Sequence, residues 1–303
     1  MASASEIARR CGPCDILFDH KKSSMSLSTV GLPMDYVTAV FSKNYGRKIM
    51  PEYETEIDKA WQKKKETQSN LYNGAKFRLN GVTKEEKGIK LQFGLTCYKD
   101  FQCTNMQPKS VLEKLQEYGE SKFKDIYACM VNPTFSTVLV KSNDDHIVML
   151  KRSHMVGESP GMIDFPGGHM EPNEVNKDEQ NGNMCTSNIV KEFFYSALRE
   201  VRDEVNLPES SMNWPLLLGI IRNNTIGGKP GGCFFISCSY DTDEIKKLYN
   251  QGGSESFEST EIIFIKLKDL CDVNSEHFSK LTASITTCAA AACELFRPYI
   301  KQM

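Results

Sequence analysis

Residues 199 to 207 read Arg-Glu-Val-Arg-Asp-Glu-Val-Asn-Leu. On a helix, Glu200, Asp203 and Glu204 fall at i, i+3 and i+4, so three carboxylates share one face. Neighbouring like charges on a helix repel by roughly a few tenths of a kcal/mol per pair. A hard divalent cation that takes oxygen ligands, such as Mg²⁺, turns that repulsion into coordination. The run therefore suggests a metal site with Glu200 and Glu204 as ligands and Asp203 as a further ligand or as support. An acidic, solvated helix flank would look the same in isolation, so the surrounding residues have to decide.

Working outward, Val190, Phe194, Ala197, Val201 and Val205 recur at three- and four-residue steps and form one apolar stripe. Glu200 and Glu204 lie just beside it, at the rim of a core, and Arg199 and Arg202 on the far side. Asn206 is expected as a left-handed cap and Pro208 prevents the helix from resuming. Ser187 or Asn188 is the expected N-cap, although neither has an acid or amide three residues on. Upstream, Met162 to Phe165 reads as a short strand that breaks at Pro166-Gly167-Gly168 into the acidic loop His169-Met170-Glu171-Pro172-Asn173-Glu174.

Taken together, these segments resemble the box of the Nudix hydrolases. That pattern is a Gly, five residues, a Glu, seven residues, then Arg-Glu, an aliphatic, any residue, two Glu, any residue, Gly and an aliphatic. Gly168, Glu174, Arg199, Glu200, Val201, Glu204 and Leu207 fall on it in order. Asp203 replaces the first Glu of the pair with a carboxylate on a shorter arm. Asn206 replaces the Gly with a residue that tolerates the same backbone region. A larger departure is that twenty-four residues, not seven, separate Glu174 from Arg199. The polar, Asn-rich stretch at about 175–188 reads as an inserted surface loop. Arg199 is expected to pair with a neighbouring box carboxylate and hold the loop against the helix.

The resemblance runs from about Ala60 to Phe264 and is closest to an animal branch of the family that hydrolyses UDP-glucose and UDP-galactose. Phe93-Gly94-Leu95-Thr96-Cys97-Tyr98, Ala75-Lys76-Phe77-Arg78-Leu79, Pro215-Leu216-Leu217-Leu218-Gly219-Ile220 and Glu258-Ser259-Thr260 carry it. It implies a Mg²⁺-dependent nucleotide-sugar diphosphatase that yields UMP and hexose 1-phosphate. It also implies substrate contacts at Arg152, Gly157, Asp164, His169, Glu171 and Thr282, with Tyr72 and Tyr98 lining the nucleotide-sugar pocket. Two alternatives stay open: hydrolysis of ADP-ribose or another nucleoside diphosphate derivative, and a non-catalytic nucleotide-binding module. Base preference lives in pocket details that no motif encodes, and loss of a metal carboxylate would favour the module.

The 303 residues suffice for a sizeable core. Thirty-seven basic against thirty-nine acidic residues, with no basic block interleaved by aromatics, argue against a polymeric nucleic acid and for a small partner. Eleven scattered cysteines do not form a disulfide framework, and the N-terminus lacks the apolar core of a signal peptide. No stretch approaches a membrane span. A cytoplasmic or nuclear protein is expected. Cys11-Gly12-Pro13-Cys14 matches a thioredoxin tetrapeptide but lacks a preceding strand, and reads as coincidence. Composition says nothing about oligomeric state.

The apolar runs Thr137 to Lys141, Ile147 to Lys151, Leu216 to Arg222, Cys233 to Ser239 and Glu261 to Ile265 read as strands, with a Gly-rich loop at 227–232. Helices are expected over Glu52 to Gln68, Ser110 to Tyr118, Thr242 to Tyr249 and Ala283 to Tyr299. Sheets covered by helices on both faces would bury these runs. This agrees with the α/β class and the α/β/α sandwich with mixed sheet that the resemblance implies. Residues 1–120 are expected to form a smaller N-terminal α+β extension, and 121–303 the hydrolase domain.

Overall fold

The computed structural model describes residues 14–23, 29–67, 71–175, 184–271 and 283–300. The chain begins with β1 (Cys14–Asp19), β2 (Val37–Phe41), α1 (Pro51–Thr67), β3 (Ala75–Glu85), β4 (Gly88–Cys97), α2 (Tyr98–Cys103) and α3 (Lys109–Phe123). Then come β5 (Phe135–Lys141), β6 (His146–Arg152), β7 (Ile163–Asp164), α4 (Thr186–Val205), β8 (Leu216–Asn223) and β9 (Lys229–Ser237). The last elements are α5 (Thr242–Gln251), β10 (Ser259–Lys266), α6 (Leu267–Cys271) and α7 (Thr287–Ile300). The main sheet has the order β1-β8-β9-β5-β6-β10, with β7 paired to β6. Only β5 and β9 run parallel among its ladders, so the sheet is mixed.

Strand alternation splits this sheet between two cores. Val138, Val140, Phe234 and Ile236 face the stripe of α4, where Val190, Phe194, Ala197, Val201 and Val205 are all buried. Each large side chain there contributes about 1.5–3 kcal/mol on burial. Leu139, Cys233 and Phe235 face the other way, onto Leu295 and Phe296 of α7. The result is the expected α/β/α sandwich. A second sheet, β2-β4-β3, shares the α4 core through Phe77 and Phe93, the latter 6.2 Å from the ring of Phe193. Ile57 and Trp61 of α1 pack with Leu115 of α3 in a smaller cluster.

Several boundaries differ from expectation. The N-cap of α4 is Cys185, without a side-chain cap bond, rather than Ser187 or Asn188. β9 starts at Lys229, so Gly231 and Gly232 lie inside a strand. A Cβ on them would strike the rings of Phe135 and Phe193 at 2.5 and 2.6 Å, which is why two glycines stand mid-strand. Helix α7 starts only at Thr287, because Ser284 and Thr286 first bond to the backbone of Ile163. The expected cap at Asn206 is present, with φ of 64° and ψ of 31°. Cys14 opens β1, Cys11 to Pro13 lie outside the described residues, and no disulfide forms among the described residues.

One feature of the sheet positions the site. The first half of β5 does not pair with β6; the amides of Ser136 and Val138 instead donate to the carbonyls of Gly168 and Pro166, both at 2.9 Å. Residues 166–168 thus run beside β5 as a surrogate strand, directly above α4.

Candidate active site

Glu204, 3% exposed, accepts the Gly167 N–H through Oε2 at 2.9 Å. Burial, then the neighbouring Glu200, pushes its carboxyl well above the usual range. Glu200, one turn earlier, lies where a side chain on residue 168 would go: a Cβ there would meet its carboxylate at 2.2 to 2.4 Å. Burial, and next Glu255, raises Glu200 to about 8. Glu255 and Glu258 arrive on the loop after α5, docked by the Glu255 N–H on the Asp203 carbonyl at 3.0 Å. Both are raised as well, chiefly by burial.

Asp203 does not turn towards this cluster. Its side chain pairs with Arg202 at 2.8 Å, and although burial alone would raise it, bonds from Arg202 and Ser254 outweigh that and hold it low. Arg199 pairs with Glu192, Nη2 to Oε1 at 2.7 Å and Nη1 to Oε2 at 3.2 Å, and Glu192 Oε1 also accepts the Glu171 N–H at 2.8 Å. The helix is therefore clamped to the loop as expected, but through Glu192, which is not a residue of the box pattern. Glu174 is exposed in a single 3₁₀ turn.

Above the carboxylates opens a cleft of about 520 Å³. Glu200, Glu171, His169 and Asp164 line it, as do Arg152, Gly157 and Tyr98. Arg152 donates Nε to the Glu158 carbonyl at 3.0 Å. Burial raises Asp164 to about 6, with Arg152 working against it. Burial, then Lys229, Lys76 and Arg152, pushes His169 well below its usual value, so its imidazole is neutral at pH 7. Tyr98 stands edge-on to Trp61 with centroids 6.3 Å apart, and Glu171 is ion-paired with Lys76. Tyr72 lies outside the cleft and is 76% exposed. Thr282 falls outside the described residues.

Among the described residues no three His, Cys, Asp or Glu side chains form a preformed metal cage. Two hard carboxylates, raised by desolvation and by neighbouring acids, nevertheless fit Mg²⁺, which is commonly held by one or two carboxylates together with substrate phosphates.

No protein-family model matches the chain. A human protein named uridine diphosphate glucose pyrophosphatase NUDT22 is 34% identical over 247 residues, covering 79% of this chain and 81% of that one. Nudix hydrolase 9 of Arabidopsis thaliana is 33% identical over 259 residues, covering 79% and 81%. The chain belongs to the Nudix hydrolase family. Among solved structures, a MutT protein from Methanosarcina mazei Go1 aligns with a TM-score of 0.33 at 16% identity, over 55% of this chain and 94% of that one.

The Nudix box accounts for Glu200, Glu204 and Gly168 above them, but the cleft holds more. Glu255, Lys229 and Glu158 line it and belong to no box position, whereas Lys76 and Glu258 sit in segments that carried the family resemblance. Clustering of charged residues around Gly-rich turns was the one available signal for Lys229, which directly follows Gly227-Gly228.

Proposed function

We propose that this Nudix hydrolase is a Mg²⁺-dependent pyrophosphohydrolase that cleaves UDP-glucose and UDP-galactose to UMP and hexose 1-phosphate. The observation that carries this reading is Glu200 lining a cleft that also contains Arg152, with Glu204 buried one turn on and bonded to the Gly167 amide. The substrate is suggested by the name of the human relative.

Glu200 and Glu204 would hold the cation, which when bound neutralises charge on the phosphoryl oxygens. Arg152 would donate to the diphosphate. Neutral His169 and Glu171 would orient the sugar or phosphate, Asp164 and Gly157 would shape the same wall, and Tyr98 would offer a ring to the base. Asp203 supports the site at one remove, by steadying Arg202 and receiving the loop that brings Glu255. In this reading residues 121–303 form the hydrolase domain, and the extension before about 120 contributes Lys76 and Tyr98. No helix of the described residues is long and apolar enough to cross a membrane. A cytoplasmic or nuclear location and a small nucleotide-sugar partner belong to the same proposal.

The test is a Mg²⁺-supplemented hydrolysis panel of UDP-glucose, UDP-galactose and ADP-ribose on purified protein. Preference for the UDP-sugars is expected, and equal turnover of ADP-ribose would remove the substrate assignment. Unchanged turnover in Glu200→Gln would remove the carboxylate assignment.

A further inference from the structure

Lys229 is only 4% exposed, and an ammonium so placed is costly unless it is partnered. Its Nζ lies 2.7 and 2.9 Å from the two carboxylate oxygens of Glu158, and the rings of Phe101 and Phe135 stand 5.0 and 5.3 Å away. The strand register explains what else it meets. Phe135 bridges His169 in antiparallel fashion and lies beside Gly231 in the parallel ladder of β5 and β9. Side chains alternate along strands, so Phe135, Thr137, His169 and Lys229 share one face, and all four line the cleft.

Two of these groups lack partners. Thr137 Oγ1 and His169 Nε2 are buried without a hydrogen bond, an exception that calls for an explanation. A lysine ammonium, a hydroxyl and a neutral imidazole on one face are the donors that a phosphate needs. The carboxylate that Lys229 holds in the free protein is Glu158, from the segment between β6 and β7, and it lines the same cleft as Thr137 and His169. That segment has room to shift, because Met155 is 88% exposed and a Cβ on Gly157 would meet nothing within 4 Å.

We infer that Lys229, Thr137 and His169 form an anion subsite for a phosphate group of the substrate, and that the Glu158 carboxylate occupies this subsite until the phosphate displaces it. Assigning that phosphate to the diphosphate of a UDP-sugar rests on the function proposed above. The cleft then has two poles. Carboxylates at Glu200 and Glu204 take one part of the diphosphate with the cation, and the Lys229 pole takes the other. Arg152 lines the same cleft.

The experiment is a calorimetric titration of inorganic phosphate into the full chain with a chelator present. The wild type is expected to bind. Lys229→Met should weaken binding about tenfold or more, as for loss of a hydrogen bond to a charged group. Thr137→Val, which preserves shape, should weaken it about fivefold, and Lys229→Arg should retain binding. Glu158→Gln should bind about threefold tighter or more, because the competing charge is gone. Absence of binding by the wild type, wild-type binding by Lys229→Met, or no gain in Glu158→Gln overturns the inference. If Lys229→Met does not fold, Thr137→Val and Glu158→Gln decide. The titration contains neither metal nor nucleotide, so it stands or falls separately from UDP-sugar hydrolysis. A raised KM for UDP-glucose in Lys229→Met, relieved in Lys229→Arg, then links the subsite to the substrate.

Discussion

Glu204 and Gly167 are joined by a hydrogen bond of 2.9 Å from the glycine amide to the carboxylate, which ties the last turn of α4 to the segment lying along β5. Gln at position 204 can still accept that bond but carries no charge. Glu204→Gln is therefore expected to melt no lower than the wild type in metal-free buffer, since it also relieves repulsion from Glu200. Its hydrolysis in Mg²⁺ should fall on the order of a hundredfold, about 2.7 kcal/mol. Glu204→Ala, which leaves the amide unpaired, should cost about 1–3 kcal/mol of stability. Thermal melts and steady-state rates measured on both variants check this.

The same carboxylates set a pH dependence. Glu200 rises from its usual value of 4.5 to about 8, and Glu204 rises as well. The folded chain thus keeps protons that the unfolded chain has already released. This stabilisation is fully present below about pH 4.5 and is lost as pH climbs towards 8, by at most about 1.4 kcal/mol per unit for each group. Denaturant unfolding in chelator should show that decline, and Mg²⁺ should flatten it by favouring the ionised carboxylates. A metal-free stability that rises from pH 5 to 8 would contradict the burial argument.

The two glycines above the helix predict opposite failures. The nearest atoms a Cβ on Gly168 meets are those of the Glu200 carboxylate, the far end of a side chain, so Gly168→Ala should fold and lose activity as that side chain is pushed aside. A Cβ on Gly167 meets the Ser136 carbonyl at 2.2 Å, where backbone would have to move. Gly167→Ala should lose about 1–3 kcal/mol, as overpacking does. Comparing melting temperature with turnover for the pair separates the two effects.

Glu192 and Arg199 form a buried ion pair that also holds the Glu171 amide. Removing one partner strands the other, so Glu192→Ala should cost about 3–5 kcal/mol. The double variant Glu192→Met with Arg199→Met should recover most of that loss, because two apolar side chains remove both charges together. A double variant less stable than Glu192→Ala would show that the clamp on Glu171 matters more than the pair.

The parts of this site that could be read from the chain are those tied to local period. The stripe from Val190 to Val205 required a helix with Glu200 and Glu204 at its rim, and Asn206 marked its end; both are found. Gly167-Gly168 and the nearby Asp164, His169 and Glu171 could be located because they are contiguous in sequence. Glu255, Lys229 and Glu158 could not, since their meeting depends on a docked loop and on the parallel pairing of β5 with β9, contacts between residues far apart in the chain.

By itself, then, the amino-acid sequence determined which turns of α4 carry acids and which face is buried, because helix geometry converts spacing directly into direction. Only the tertiary structure decided which partner each long side chain takes. Arg199 found Glu192 rather than a carboxylate of the box, and Asp203 turned to Arg202 instead of the cleft. Lys229 met Glu158 across seventy-one positions of chain. The strength of such pairs depends on the distance and desolvation that packing creates.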